Sequence, residues 1–153
     1  MPKFRPNVAL ILTNDDDRIL VCERKNVPDA WQFPQGGVGK KESHEEALAR
    51  EVEEEIGLPP GSYEVLGSRG GYRYRFPPGM KRRKKKKKWA GQEQTYYLCR
   101  IRPDAPPINV HEKPREFSDH KWIEPEEFRI DWLPEFKKDV YRLVMRDFFN
   151  LAI

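Results

Sequence analysis

The sequence predicts an α+β fold in which a mixed sheet lies between helices. Three observations predict it. Strand-like and helix-like segments follow one another in the order strands, helix, strands, helix. Asn7 to Leu12 (NVALIL) is a short apolar run, the signal of a buried strand. Two later stretches repeat apolar residues at helical spacing, one after Ser43 and one from Phe136. No internal repeat and no long linker interrupts this order, so residues 1–153 are expected to form a single domain with one full core.

After the first strand, Thr13-Asn14-Asp15-Asp16-Asp17 is turn chemistry and Arg18 to Arg24 (RILVCER) resumes as a strand, which predicts a hairpin. Val27 to Gly39, with two prolines and three glycines, reads as loop. Ser43 is a suitable N-cap with Glu46 three residues on, and Leu48, Val52 and Ile56 mark one helical face. Gly57 and Pro59-Pro60 end that helix. Strands are predicted at Tyr63 to Leu66, Tyr72 to Phe76, Gln94 to Ile101 and His120 to Ile123. Pro77 to Gln92 is a loop inserted between strands, and Arg102 to Pro114 is a proline-rich connection. Phe136, Val140, Leu143, Val144 and Phe148 form the apolar face of a C-terminal helix.

Hydrophobic residues at 37% and aromatics at 12% allow a packed interior despite a mean hydropathy of −0.89. No window approaches the roughly 18 apolar residues of a membrane span. The N-terminal apolar run has only six residues and no small-residue cleavage site after it, so no signal peptide is expected. Cys22 and Cys99 stand apart in apolar segments without CxxC spacing, which predicts buried free thiols and a cytoplasmic location. The net charge of +4 is unevenly spread. Residues 81–88 (KRRKKKKK) carry eight positive charges, and subtracting them leaves −4 for the rest. Such a run favours polyanions such as nucleic acid and repels itself into an extended loop; a solvated loop without a specific partner is the plainer alternative.

The chemistry concentrates between Gly36 and Leu58. At about 100° per residue, Glu51, Glu54 and Glu55 fall within one arc of about 100°, bordering the Leu48–Val52–Ile56 face. Like charges so placed repel by roughly a few tenths of a kcal/mol per pair, a penalty that a divalent cation removes. Arg50, four residues before Glu54, can hold that carboxylate in position. Many glutamate-rich helices are only solvated acidic faces. This one follows Trp31-Gln32-Phe33-Pro34-Gln35-Gly36-Gly37, where paired glycines suit close backbone approach to a ligand.

Gly36, Glu42 and Arg50-Glu51-Val52-Glu53-Glu54-Glu55-Ile56-Gly57-Leu58 match the pattern G-x5-E-x7-R-E-U-x-E-E-x-G-U at every fixed position. On this stretch the chain resembles the Nudix hydrolases. Lys40-Lys41 departs from the small or acidic turn residues usual before the first glutamate. The resemblance implies a three-layer α/β/α sandwich and hydrolysis of a nucleoside diphosphate linked to another moiety, with Mg²⁺ or Mn²⁺. More of the chain is similar to one branch, the bacterial RNA pyrophosphohydrolases and dinucleoside tetraphosphate hydrolases. The shared marks are Arg5-Pro6-Asn7-Val8, Trp31 through Gly37, Gly91-Gln92 with Gln94, Glu116-Phe117, Trp122, Phe136-Lys137 and Val140-Tyr141.

The resemblance implies Glu51, Glu54, Glu55 and Glu116 as ligands of more than one metal ion. Glu54 and Glu116, with Arg50 behind them, are the catalytic candidates. Gly36, Gly37 and Glu42 support the loop and helix. Arg5, Arg24 and Lys137 are expected on the polyphosphate or RNA backbone, and Tyr74 and Phe136 on a base, with plain core packing as the alternative for these two rings. The expected reaction removes pyrophosphate, or successive phosphates, from the 5′-triphosphate end of RNA, leaving a 5′ monophosphate and promoting RNA decay. Hydrolysis of diadenosine tetraphosphate is the alternative. A non-catalytic RNA-binding Nudix module would be marked by a missing box glutamate, and none is missing.

Overall fold

Alternate side chains of β1 (Phe4–Thr13) leave on opposite sides of a sheet, and both sides are covered. Val8, Leu10 and Leu12 pack with Ala47, Leu48, Val52 and Ile56 of α1 (His44–Ile56). Ala9 and Ile11 pack with Val140, Tyr141, Val144 and Met145 of α2 (Glu135–Phe149). Burial on both faces is why Asn7–Leu12 reads as one apolar run instead of an alternation. The structure, a computed structural model, describes residues 1–80, 88–111 and 115–153. Among these residues no helix is long and apolar enough to cross a membrane.

The sheet is mixed, as expected. β1 runs parallel to β6 (Gly91–Ile101), from Phe4 opposite Gly91 to Thr13 opposite Arg100. β5 (Tyr63–Arg75) pairs antiparallel with the other edge of β6, and β2 (Ile19–Arg24) pairs antiparallel with β7 (Phe117–Ile123). The expected β1–β2 hairpin is present only at its turn, where Thr13 stands opposite Ile19. Beyond that the two strands part. β3 (Trp31–Gln32) pairs with Cys22 and Glu23 of β2, while β4 (Gln35–Gly37) pairs with Asn7 to Ala9 of β1. The Val27–Gly39 segment is therefore not loop throughout. Its strands are two and three residues long and flank Pro34, too short for a period of two to show.

Three other expectations are corrected. Tyr63–Leu66 and Tyr72–Phe76 belong to one strand, β5, which crosses Gly67, Gly70 and Gly71 with register shifts at Val65/Gly67 and Arg69/Tyr72. Glycines that suggest a break instead mark irregularities inside a continuous strand. β6 and β7 begin at Gly91 and Phe117, not at Gln94 and His120, so the loop expected over 77–92 is shorter. A Cβ on Gly91 would stand 1.9 Å from the Tyr74 carbonyl oxygen, so only glycine admits this approach of β5 to β6. Leu143 is 40% exposed; the buried face of α2 turns through Tyr141 and Met145 instead. Residues 81–87 of the basic run lie outside the described residues.

α1 forms as its sequence predicts. The Ser43 hydroxyl accepts from Glu46 N–H, Ser43 N–H donates to Glu46 Oε1, and Gly57 closes the helix at φ 73°. Cys22 and Cys99 are buried free thiols.

Candidate active site

A cavity of about 300 Å³ lies where β1 and β2 part. Helices on opposite faces of the sheet both reach it, α1 through Glu51 and Glu55 and α2 through Lys137. Arg5 comes from β1, Arg24 from β2, Gln32 from β3, Gln35 to Gly37 from β4 and Gln92 from β6. Glu116 arrives just before β7, its carbonyl accepting from Lys25 N–H at 3.0 Å. Acids from α1 and from the start of β7 thus meet three cations in one cavity.

The three helix carboxylates differ in exposure because they sit at different distances from the core face. Glu55 is 7% exposed, and its Oε1 has no hydrogen-bond partner among the described residues. Burial pushes its carboxyl well above the usual range, and the charges of Glu51, Glu116 and Glu54 push the same way. Glu51 is partly buried and also raised, by desolvation first, against the lowering effect of Arg50. Glu54 is exposed.

Arg50 ties these groups to the preceding loop. Its guanidinium donates to Glu42 Oε2 at 2.7 Å and Oε1 at 2.9 Å, to Glu51 Oε1 at 2.7 Å and to the Gly37 carbonyl at 2.9 Å. Glu54 stands farther off, at 3.5 Å. The helical spacing points to the Arg50–Glu54 pair, yet the shorter bonds go to Glu42 and Glu51. Glu42 also accepts from Gly39 N–H at 2.7 Å; the Arg50 bond, then this one, hold its carboxyl down at about 2. Glu42 therefore fastens loop to helix and does not line the cavity. A Cβ on Gly36 would lie 2.0 Å from the Glu51 carboxyl carbon, and one on Gly37 2.2 Å from the Arg5 guanidinium. Both glycines make room for charged groups.

On the cationic side, burial and the nearby Arg24 charge bring Lys137 down to about 8. Its Nζ lies 5.9 Å from the Tyr74 ring centroid and 5.8 Å from that of Phe136. Tyr74 is buried in the core against Phe136, and Phe136 is partly exposed; neither lines the cavity. Sequence reasoning gave no role to an amide network behind them. Asn7 Nδ2 donates to Gln35 Oε1 at 2.7 Å, Gln94 Nε2 to Asn7 Oδ1 at 2.9 Å, and Tyr96 OH to Gln94 Oε1 at 2.9 Å. Tyr74 OH donates to Gln92, and Gln32 Oε1 is buried without a partner among the described residues. Asn7, Gln92 and Gln94 are signalled only by the branch resemblance, since amides have no periodicity of their own.

The donor set fits a hard divalent cation. The charge of Glu116 adds to the burial that raises the Glu51 and Glu55 carboxyls, and one buried carboxylate oxygen is unpartnered. Among the described residues, no group of three or more Asp, Glu, His or Cys side chains is drawn together closely enough to hold an ion as it stands.

A match to the NUDIX domain runs over residues 3–144. An RNA pyrophosphohydrolase of Saccharophagus degradans is 42% identical over 151 residues, covering 94% of this chain and 85% of that one. One from Hahella chejuensis is 40% identical over 153 residues, covering 95% and 90%. In fold, the chain is similar to the E. coli dihydroneopterin triphosphate pyrophosphohydrolase, with TM-score 0.61, 17% identity and coverage of 95% and 97%. A C. elegans Ap4A hydrolase gives TM-score 0.56 at 19% identity, covering 79% and 81%.

Proposed function

The chain belongs to the NUDIX family, and from that premise we propose that it hydrolyses the 5′-triphosphate end of RNA. Pyrophosphate, or successive phosphates, leave, and a 5′-monophosphate end exposed to decay remains. One observation carries the reading: a single cavity lined by the carboxylates Glu51, Glu55 and Glu116 and by the cations Arg5, Arg24 and Lys137. A polyphosphate chain needs both kinds of group. The two relatives named RNA pyrophosphohydrolase, each matched over most of its length, support RNA as the substrate.

Hydrolases of this family generally need divalent metal ions, and the buried unpartnered Glu55 oxygen fits that need. Glu51, Glu54, Glu55 and Glu116 would hold more than one Mg²⁺ or Mn²⁺. Held there, such ions would supply positive charge to neutralise phosphate and would make a water more acidic. Arg5, Arg24 and Lys137 grip phosphate oxygens and orient the anhydride bond for in-line attack. Water adds to phosphorus, the P–O anhydride bond breaks, and the water's proton passes to a carboxylate. Glu54, exposed, only loosely held by Arg50 and just outside the cavity lining, is the suited acceptor, with Glu116 in the lining as the other. Arg50 acts as a positioning residue: it sets Glu51 against Gly36 and keeps Glu42 on the loop. Phe136, partly exposed beside Lys137, is the ring available to a base; Tyr74 backs it from the core. Residues 1–153 act as one domain, and the buried free thiols suit a cytoplasmic enzyme.

The same cavity accepts a dinucleoside polyphosphate, and one assay separates the two substrates. Triphosphorylated RNA and diadenosine tetraphosphate are supplied side by side with Mg²⁺, and products are separated by chromatography. RNA turnover is expected to dominate, and Glu54→Gln to lower it by about 10² or more. Preference for the dinucleotide would overturn the RNA reading, and turnover of neither would overturn the branch.

A further inference from the structure

Successive residues of β1 face opposite ways at the end of the sheet. Arg5 lines the cavity, in the cross-strand row of Gln92 and Tyr74. Phe4 belongs to the next row, with Gly91 and Arg75, and therefore faces the other side. There its ring carries two exposed guanidinium groups, Arg73 at 4.8 Å and Arg75 at 5.5 Å from the centroid. Glu93 pairs with Arg73 at 2.6 Å, so one of the two charges is already partly compensated. The segment before β6 adds Lys88, whose ammonium lies 4.9 Å from the Trp89 ring. Ala90 N–H donates to the Lys3 carbonyl at 2.7 Å and ties this segment to the N-terminal residues. Two cations over the Phe4 ring and a third over Trp89 thus gather at this end of the sheet, one residue away from a cavity-lining arginine.

Rings and cations gathered in this way suit single-stranded nucleic acid, whose unpaired bases offer faces to stack and whose phosphates meet the charges. Duplex nucleic acid hides those faces, and an acidic peptide leaves the rings without partners. We propose that the RNA beyond the 5′ nucleotides leaves the cavity past Arg5, rounds the end of the sheet and is held on this corner, its phosphates on Arg73 and Arg75 and its bases against Phe4 and Trp89. The inference rests on RNA being the substrate and adds where the rest of the transcript lies.

Binding can be read apart from hydrolysis. A fluorescent 12-nucleotide single strand with a 5′ hydroxyl is titrated with wild type, with Arg73→Gln/Arg75→Gln, and with Arg129→Gln/Arg142→Gln, which removes equal charge from exposed sites elsewhere. The first pair is expected to weaken binding about tenfold and to reduce the salt slope by about 1.4, while the second stays near wild type. In parallel, KM for triphosphorylated RNA should fall with length from 2 to 12 nucleotides in wild type (lengths of order 10, as single-strand grooves take) and stay flat in Arg73→Gln/Arg75→Gln. Diadenosine tetraphosphate hydrolysis should be unchanged. Equal weakening by both double variants, or tighter binding of an acidic peptide than of RNA, would overturn the corner as an RNA surface. Loss of strand binding in the first pair, in an enzyme that hydrolyses only the dinucleotide, would sustain the surface and sink the assigned activity.

Discussion

Glu55 shows how a single side chain sets stability against function. Its carboxylate is buried with one unpartnered oxygen and faces Glu51 and Glu116, so the charged form destabilises the ion-free protein. Its folded pKa is raised; the favourable protonated state therefore holds at low pH and is lost as pH rises through that value. Glu55→Gln should accordingly raise the Tm of the metal-free protein at pH 7, with the gain vanishing in acid. The same change should cut hydrolysis by about 10² or more and reduce the thermal shift that Mg²⁺ produces; melting curves with and without EDTA check all three. Lys137 gives the opposite sign on the substrate side. Its ammonium is held down at about 8, so it is charged at pH 7 and neutral above that value. KM for RNA should rise above about pH 8 in wild type, and Lys137→Arg should remove that limb while keeping a cation in place.

At the scale of elements, the site depends on how β4 meets α1. Gly36 lies against the Glu51 carboxylate, and Arg50 joins that carboxylate to Gly37 and Glu42. Gly36→Ala should leave helical circular dichroism unchanged and lower hydrolysis by roughly tenfold to a hundredfold, since misplacement by about 1 Å can cost that much. The difference would appear mainly in kcat, because the phosphate-gripping cations are untouched. This junction also shows what was legible in the sequence. α1 was readable from cap to cap because Ser43, Glu46 and Gly57 each act locally. Glu51 and Glu55 were readable as neighbours at the cavity because they share one helix, whereas Glu54 of the same helix is exposed and does not line it. β3 and β4 were not, since strands of two and three residues exist only through their partners. The single strand β5 was hidden by glycines that locally signal a break. Glu116 and Lys137 reach the cavity from elements far along the chain, so family resemblance alone could point to them.

For the whole molecule, the two cores are joined through the segment that shapes the site. Phe33 lies between β3 and β4, stacked on Tyr141 of α2 with centroids 5.5 Å apart, and its N–H donates to the Tyr141 hydroxyl at 3.2 Å. Tyr141→Phe keeps the ring and strands a buried N–H, so equilibrium unfolding should show a loss of about 1–3 kcal/mol. Hydrolysis should fall as well, since Gln32 and Gln35 stand on either side of that segment. The parallel register of β1 with β6 bears on how such a molecule is made. During synthesis β1 can pair with β4 early but waits for its parallel partner until about residue 101 has emerged, with α1 already available and the cavity's last carboxylate still to come. Pairing of this kind closes a long loop and is slow. A nascent chain stalled before β6 would present an apolar strand with the edge that β6 covers left open, a target for chaperones or for aggregation. The β1–β6 pairing at the centre of the sheet therefore forms late, only after β6 has followed the lysine run out of the ribosome.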